Sequence, residues 1–233
     1  MKNNKTIKEM CFDGRMEERI KKTFNSEGCI ICSLLRDDEF ELLCKWVGNR
    51  EKEEFKQRLL ITKGFCNHHF FNLEKLCDPL GLTQLEKLLL QEFLREAERT
   101  DKEKTEWLIA YRQQQYNLSD KNICPICEVL SRNESEYIRH LTNFLKDRNN
   151  MKLYHNSGGL CTPHFIKIYS FLEDKDIKDK LFDIQKRHIR ILLEALSGFV
   201  NKKDARWKRT EDENKSYIRG LLKLSGREGT KWR

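Results

Sequence analysis

Proline is nearly absent from this chain, with 3 in 233 residues, and glycine is modest at 11. No apolar run approaches the ~20 residues that a membrane-spanning helix needs. The opening "MKNNKTIKEM" has no apolar stretch behind its lysines, which argues against a secretory leader and for a cytoplasmic setting. No convincing series of alternating apolar residues suggests strands. There is also no G-x-x-x-x-G-K-[ST], no G-x-G-x-x-G after a strand and no H-E-x-x-H, so the common phosphate-loop, dinucleotide and metalloprotease signatures are excluded. What takes their place is charge, 35% of all residues, set among leucines. Lys, Glu, Arg and Leu are good helix formers, and with proline so scarce the expected fold class is all-α.

The formal net charge of +8 invites a nucleic-acid reading, but its distribution weakens it. Residues 201–233 hold 11 Lys and Arg against 5 Asp and Glu, leaving the first 200 residues close to neutral. A solvated tail accounts for this more simply than an anionic partner. Trp207 and Trp232, set among basic residues, are compatible with weak, nonspecific stacking and phosphate contact.

Cysteine is the one reactive residue in quantity, with 9 copies. Shifting the chain by 95 residues lays Cys29, Cys32, Cys66 and His69 on Cys124, Cys127, Cys161 and His164 without a gap, so both halves read C-x2-C-x33-C-x2-H. Ile31, Leu35, Glu39, Glu41, Gly64 and Phe70 also find their like at Ile126, Leu130, Glu134, Glu136, Gly159 and Phe165. Such agreement marks an internal duplication. The match also chooses between two neighbouring histidines: His69 has a counterpart, whereas His68 faces Pro163 and reads as a bystander. Cys11, Cys44 and Cys77 have no cysteine counterpart and read as small core residues.

The 33-residue spacer reads as a helical hairpin. An outbound helix of ~14 residues would cover about 20 Å, and a return of similar length would bring CxxH back to CxxC. The expectation is that each repeat closes on its own four ligands. Gly64 and the pair Gly158–Gly159 stand where the returning helix must end and redirect. A longer helix then closes each half. Its apolar stripe in the second runs through Ile177, Leu181, Ile184, His188, Ile191, Ala195 and Phe199, with His188 as a packing histidine. Glu39, Glu41, Glu134 and Glu136 fall on exposed helix faces. The Glu39/Glu134 match is also what a carboxylate partner of a ligand histidine would leave, although a solvated face is the preferred reading. The organisation expected is an N-terminal helical extension (1–28), two tandem repeats (29–116 and 117–200) packed into one helical body, and a basic C-terminal helix or tail (201–233).

Three thiolates and one imidazole suit zinc in a closed Cys3His site, with no open position for substrate. Iron–sulfur clusters, which usually take four cysteines, are the alternative for the same eight residues. Redox dithiols at each CxxC would leave the matched CxxH unexplained.

The duplicated "GCIICSLL…GFCNHHF" and "ICPICEVL…GGLCTPHF" resemble a prokaryotic family of unknown function built from two CxxC/CxxH metal-binding units. "ARWKRTEDENKSYIRGLLKLSG" looks like that family's closing stretch, an acidic turn followed by a helix ending in glycine. The likeness runs from about Cys29 to Gly226, and departs in the first repeat where Ile30 stands at the position of Pro125. It implies an α-helical metal protein of cytoplasmic type and supplies no activity. With closed ligand sets and no catalytic constellation, the expected role is a metal-stabilised binding or adaptor module. Its partner would be a protein or small ligand, held on a surface that the duplicated halves create. The competing role is electron transfer or oxidant sensing by iron–sulfur centres.

Overall fold

The computed structural model describes residues 16–25, 28–99, 104–106, 108–109, 124–202 and 208–226. Among these residues every regular element is a helix: α1 (Met16–Thr23), α2 (Ile30–Asn49), α3 (Glu53–Ile61), α4 (Asn67–Glu74), α5 (Pro79–Glu98), α6 (Pro125–Phe144), α7 (Arg148–His155), α8 (Thr162–Phe171), α9 (Lys175–Asn201) and α10 (Glu211–Ser225). No described helix is long and apolar enough to cross a membrane. Cys11, Trp107, Tyr111, Trp207 and Trp232 lie outside the described residues.

Four of the described helices start on short polar side chains that satisfy orphan amides of the first turn. The Asp78 carboxylate accepts from Gly81 N, with Pro79 in the first turn of α5. Asp147 accepts from the amides of Asn149 and Asn150, and Asp174 from that of Ile177. Thr210 and Glu213 form a reciprocal capping box ahead of α10.

The chain forms two compact units. One consists of two separate stretches, Met1–Arg36 and Asn133–Arg233; the other is the continuous segment Asp37–Arg132, so the divisions fall inside α2 and α6. In the first unit, Ile20, Ile30, Ile31, Leu34, Tyr137, Leu141, Tyr154, Leu160, Ile168 and Leu181 are buried, and Phe24 stacks on Phe144 with ring centroids 5.5 Å apart. In the second, Leu42, Leu43, Leu59, Leu73 and Leu85 are buried around Trp46. That indole meets Phe55 and Phe65 edge-on at 4.8 and 5.0 Å.

Three expectations need correcting. The hairpins are lopsided: α2 and α6 each have 20 residues, but their returning partners α3 and α7 have 9 and 8. At about 1.5 Å per residue, ~30 Å of outbound helix is followed by only ~13 Å of return. Cys77 is buried as expected of a core residue, but Cys44 is exposed. Part of the basic tail is not a solvated segment, because α10 packs on α8 and α9, with Phe199 and Tyr217 rings 5.8 Å apart.

The expected glycines do redirect the chain. Gly64 and Gly159 adopt left-handed φ values of 97° and 70°. Gly158 serves a different need. A Cβ there would lie 2.5 Å from the carbonyl oxygen and 2.7 Å from the nitrogen of Gly28, so two backbones meet where only glycine fits. Gly158→Ala should therefore cost about 1–3 kcal/mol by overpacking. Gly48→Ala, at a helical position with nothing within 4 Å, should gain up to about 1 kcal/mol. Thermal melts of the two variants beside the parent chain would check both signs.

Candidate metal centres

All four ligand pairs occupy the same local structure. Cys66 and Cys161 are the N-cap residues of α4 and α8, with extended backbone angles. Cys29 and Cys124 immediately precede α2 and α6. In each case the cysteine carbonyl accepts the first helical bond, from Ser33, Phe70, Glu128 and Phe165 at 2.8–3.0 Å. The second member of each pair, Cys32, His69, Cys127 or His164, is then the third helical residue, one turn on and on the same side. The motif spacing is a helix-start spacing. It also sets the sulfurs at the positive ends of helix dipoles, where thiolate charge is favoured.

The eight residues gather into two groups, but not the expected ones. Cys29 and Cys32 meet Cys161 and His164, whereas Cys66 and His69 meet Cys124 and Cys127. Each group joins two helix starts and takes two residues from each repeat. In each, the four donor atoms lie within 4.8 Å of one another. His164 Nδ1 is 3.3, 3.4 and 3.2 Å from the sulfurs of Cys29, Cys32 and Cys161, and the Cys32 and Cys161 sulfurs are 3.8 Å apart. His69 Nδ1 is 3.1, 3.5 and 3.3 Å from those of Cys66, Cys124 and Cys127, with 3.6 Å between Cys66 and Cys127. Seven of the eight residues are buried, and Cys127 is half-buried.

The lopsided hairpin explains the crossing. A returning helix under half the length of the outbound one cannot regain the cysteines from which the chain left. The first group is instead brought together by the tight approach of Gly158 to Gly28, and the Ile30 amide donates to the Gly159 carbonyl at 3.2 Å. Proline at position 30 would lose that donor. At the matching position of the second group Pro125 has none to give, and the Gly64 carbonyl accepts from the Thr62 hydroxyl instead.

Glu39 and Glu134 face the two ligand histidines, and the preference for solvated faces gives way. Glu39 Oε1 is 3.4 Å from His69 Nε2 and Glu134 Oε1 is 3.3 Å from His164 Nε2, with side-chain exposures of only 16% and 14%. Each carboxylate lies within ion-pair reach of the far side of an imidazole whose Nδ1 faces the sulfurs, a placement that favours positive charge on the ring. The carboxylates are themselves held: Glu39 contacts His68 Nε2 at 2.8 Å and accepts from the Asn72 amide at 2.9 Å, and Glu134 pairs with Lys167 at 2.5 Å. His68 is thus part of the support rather than a bystander. Asn72 and Lys167 occupy matching positions of the 95-residue register, but as unlike residues they leave no match to read in the sequence. Burial, which acts against charge, is outweighed at Glu39 by His69 and Asn72 and at Glu134 by His164 and Lys167; both carboxyls are held below their usual range. Glu134→Gln should weaken metal retention at the first group about 10–100-fold while leaving the second unchanged, as a competition titration against a chelating dye would read.

The electrostatics fit a cation at each centre. Burial disfavours charge on His69 and His164, yet hydrogen bonds to Cys124, Cys66 and Glu39, and to Cys29, Cys32 and Glu134, push both imidazoles up to about 11. Neighbouring sulfurs and burial push the Cys127 and Cys161 thiols up, while Cys66 is held down by Cys124 and Cys127. Sulfurs this close cannot all ionise beside one another without positive charge between them.

An all-helical chain with two Cys3His groups able to hold metal ions is the class that fold and site define. Residues 16–230 match a family of unknown function, DUF6062, and the chain belongs to that family. No curated protein and no solved structure matches it.

Proposed function

We propose that the protein is a metal-stabilised binding module in which two zinc ions, one in each Cys3His group, act as structural clamps. The donor spacing carries this reading. With Zn–S bonds of about 2.3 Å and Zn–N of about 2.0–2.1 Å, a tetrahedron has S···S edges near ~3.8 Å and S···N edges near ~3.5 Å. The sulfur pairs at 3.6 and 3.8 Å and the sulfur–nitrogen distances of 3.1–3.5 Å lie close to those edges. An iron–sulfur cluster places several irons and bridging sulfides inside its ligand shell and needs its cysteines farther apart, so the same spacing weighs against the redox alternative.

Four protein donors complete a tetrahedron and leave no position for water or substrate, which supports a structural rather than a catalytic role. The described cysteines are all free thiols, in keeping with a reducing, cytoplasmic setting. The module's task is then binding, with a protein or small-ligand partner. The test is metal content and absorbance of anaerobically purified protein. Two zinc per chain and no visible absorbance are expected; iron with sulfide and a visible chromophore would overturn the reading.

A further inference from the structure

A cavity of about 820 Å³ opens beside the first cysteine group, within the unit formed by residues 1–36 and 133–233, with Cys29 and Cys161 in its wall. That volume lies in the range typical of small-molecule sites. Its charged lining is one-sided. Arg187, Lys215, Arg219 and Lys223 face it, with Asp212 the single carboxylate among them. Asp212 lies 3.3 Å from Arg219, and Lys215 is paired with Glu211. Among the described residues, neither Arg187 nor Lys223 has a carboxylate within ion-pair reach. Arg187 contacts the His155 ring, and Lys223 lines the cavity beside Cys29 and Cys161.

The rest of the wall is mixed: Asn25, Asn156 and Ser157 are polar, and apolar groups stand beside them. Phe24, Ile191, Ile218 and Leu222 supply a greasy side. His188 gives its Nε2 hydrogen to the His155 carbonyl at 3.2 Å, and its buried Nδ1 has no hydrogen-bond partner. A Cβ on Gly159 would lie 2.4 Å from that Nδ1 and 3.5 Å from Lys223 Nζ, so an acceptor without a hydrogen bond and a cation without a carboxylate both border Gly159, and both side chains line the cavity. Buried polar groups without partners are uncommon in a finished structure and point to something that completes them.

The first repeat carries other residues at the matching positions. In the 95-residue register Arg187, His188, His155 and Gly158 correspond to Glu92, Phe93, Leu60 and Lys63. There the charges are satisfied locally, Glu92 by Arg95 and Lys63 by Glu96. Only the second copy has exchanged an acid and two apolar residues for an arginine and two histidines, around a cavity that α10 helps to wall.

We infer that this cavity binds a small organic oxyanion, a phosphate or carboxylate carried on an apolar body. Guanidinium and ammonium groups take the oxyanion through charge-assisted hydrogen bonds, the apolar wall takes the body, and His188 Nδ1 accepts from a hydroxyl of the ligand. This rests on the binding-module reading, because the cysteine group forms part of the wall.

Calorimetric titration of the full metal-loaded chain with phenyl phosphate, benzoate and benzyl alcohol tests it. The expected result is saturable binding of one anion per chain, with the tighter of the two naming the headgroup, and no comparable binding of the neutral alcohol. Arg187→Gln and Lys223→Met should each weaken the anion on the order of tenfold, with unchanged metal content and melting. Lys87→Gln, in the separate smaller cavity of about 230 Å³ in the other unit, should change nothing. Benzyl alcohol binding as tightly as the anions, equal weakening by Lys87→Gln, or no saturation by any probe would overturn the inference. Measuring metal content on the same samples separates the two readings: a metal-loaded chain that binds nothing defeats this inference alone, and a metal-free chain that still binds anions defeats only the clamp.

Discussion

Stripping the metal with a strong chelator under reducing conditions is expected to unfold the protein rather than loosen it. Structural zinc in small domains contributes about 10–16 kcal/mol of apparent folding free energy at neutral pH. The whole net stability of a domain is about 5–15 kcal/mol. Two such sites therefore outweigh the margin that packing leaves. Connectivity makes the unit around the first group depend more on its metal. It joins Cys29 and Cys32 to Cys161 and His164, residues from two stretches of one unit that the chain links only through residues 37–132 of the other. A metal ion would clamp those stretches directly, beside the Phe24–Phe144 stack and the Ile30–Gly159 hydrogen bond. Helicity at 222 nm should fall steeply, the cooperative melt should vanish, and zinc should restore both. Acid should act in the same direction, because bound metal requires thiolates and an unprotonated Nδ1, and protons compete for each. A chain shown by metal analysis to be empty, yet melting as before, would sink the clamp.

The fold class was legible because its signals are local. Scarce proline, three-to-four apolar spacing and helix-forming charge all concern neighbours within a turn or two, and the helices appear where those patterns lie. That these eight side chains would gather was legible through the duplication, and the reason is equally local: C-x2-C and C-x2-H are N-cap and third-residue positions of a helix, a geometry that four residues specify by themselves. The partition of the ligands was not legible. It depends on how far each outbound helix runs, and α2 and α6 continue for 20 residues before the turn, which leaves α3 and α7 too short to come back. Glu39 and Glu134 were half legible. Their match was visible, but a glutamate on a polar face looks alike whether it faces water or an imidazole. Only the packing of α4 and α8 decides, with Asn72 or Lys167 alongside.

The crossing has a consequence that substitution can read directly. Replacing one ligand of a Cys3His site by serine removes a thiolate and should empty that site, so a second loss at the same site has little left to remove. Cys29→Ser and Cys161→Ser, placed at the same centre though 132 positions apart in the chain, should be strongly non-additive. The double variant should melt close to either single and still carry one metal per chain. Cys29→Ser with Cys66→Ser should behave oppositely, with losses that add within about 0.5 kcal/mol, as for uncoupled sites, and no metal retained. Repeats that each closed on their own four ligands would exchange these outcomes: the Cys29/Cys66 double would keep one metal and the Cys29/Cys161 double would keep none. Metal analysis of the two double variants therefore decides the pairing even if both have lost too much stability to give a clean melt, because the count of retained ions depends on which cysteines share a centre and not on how well the remainder packs.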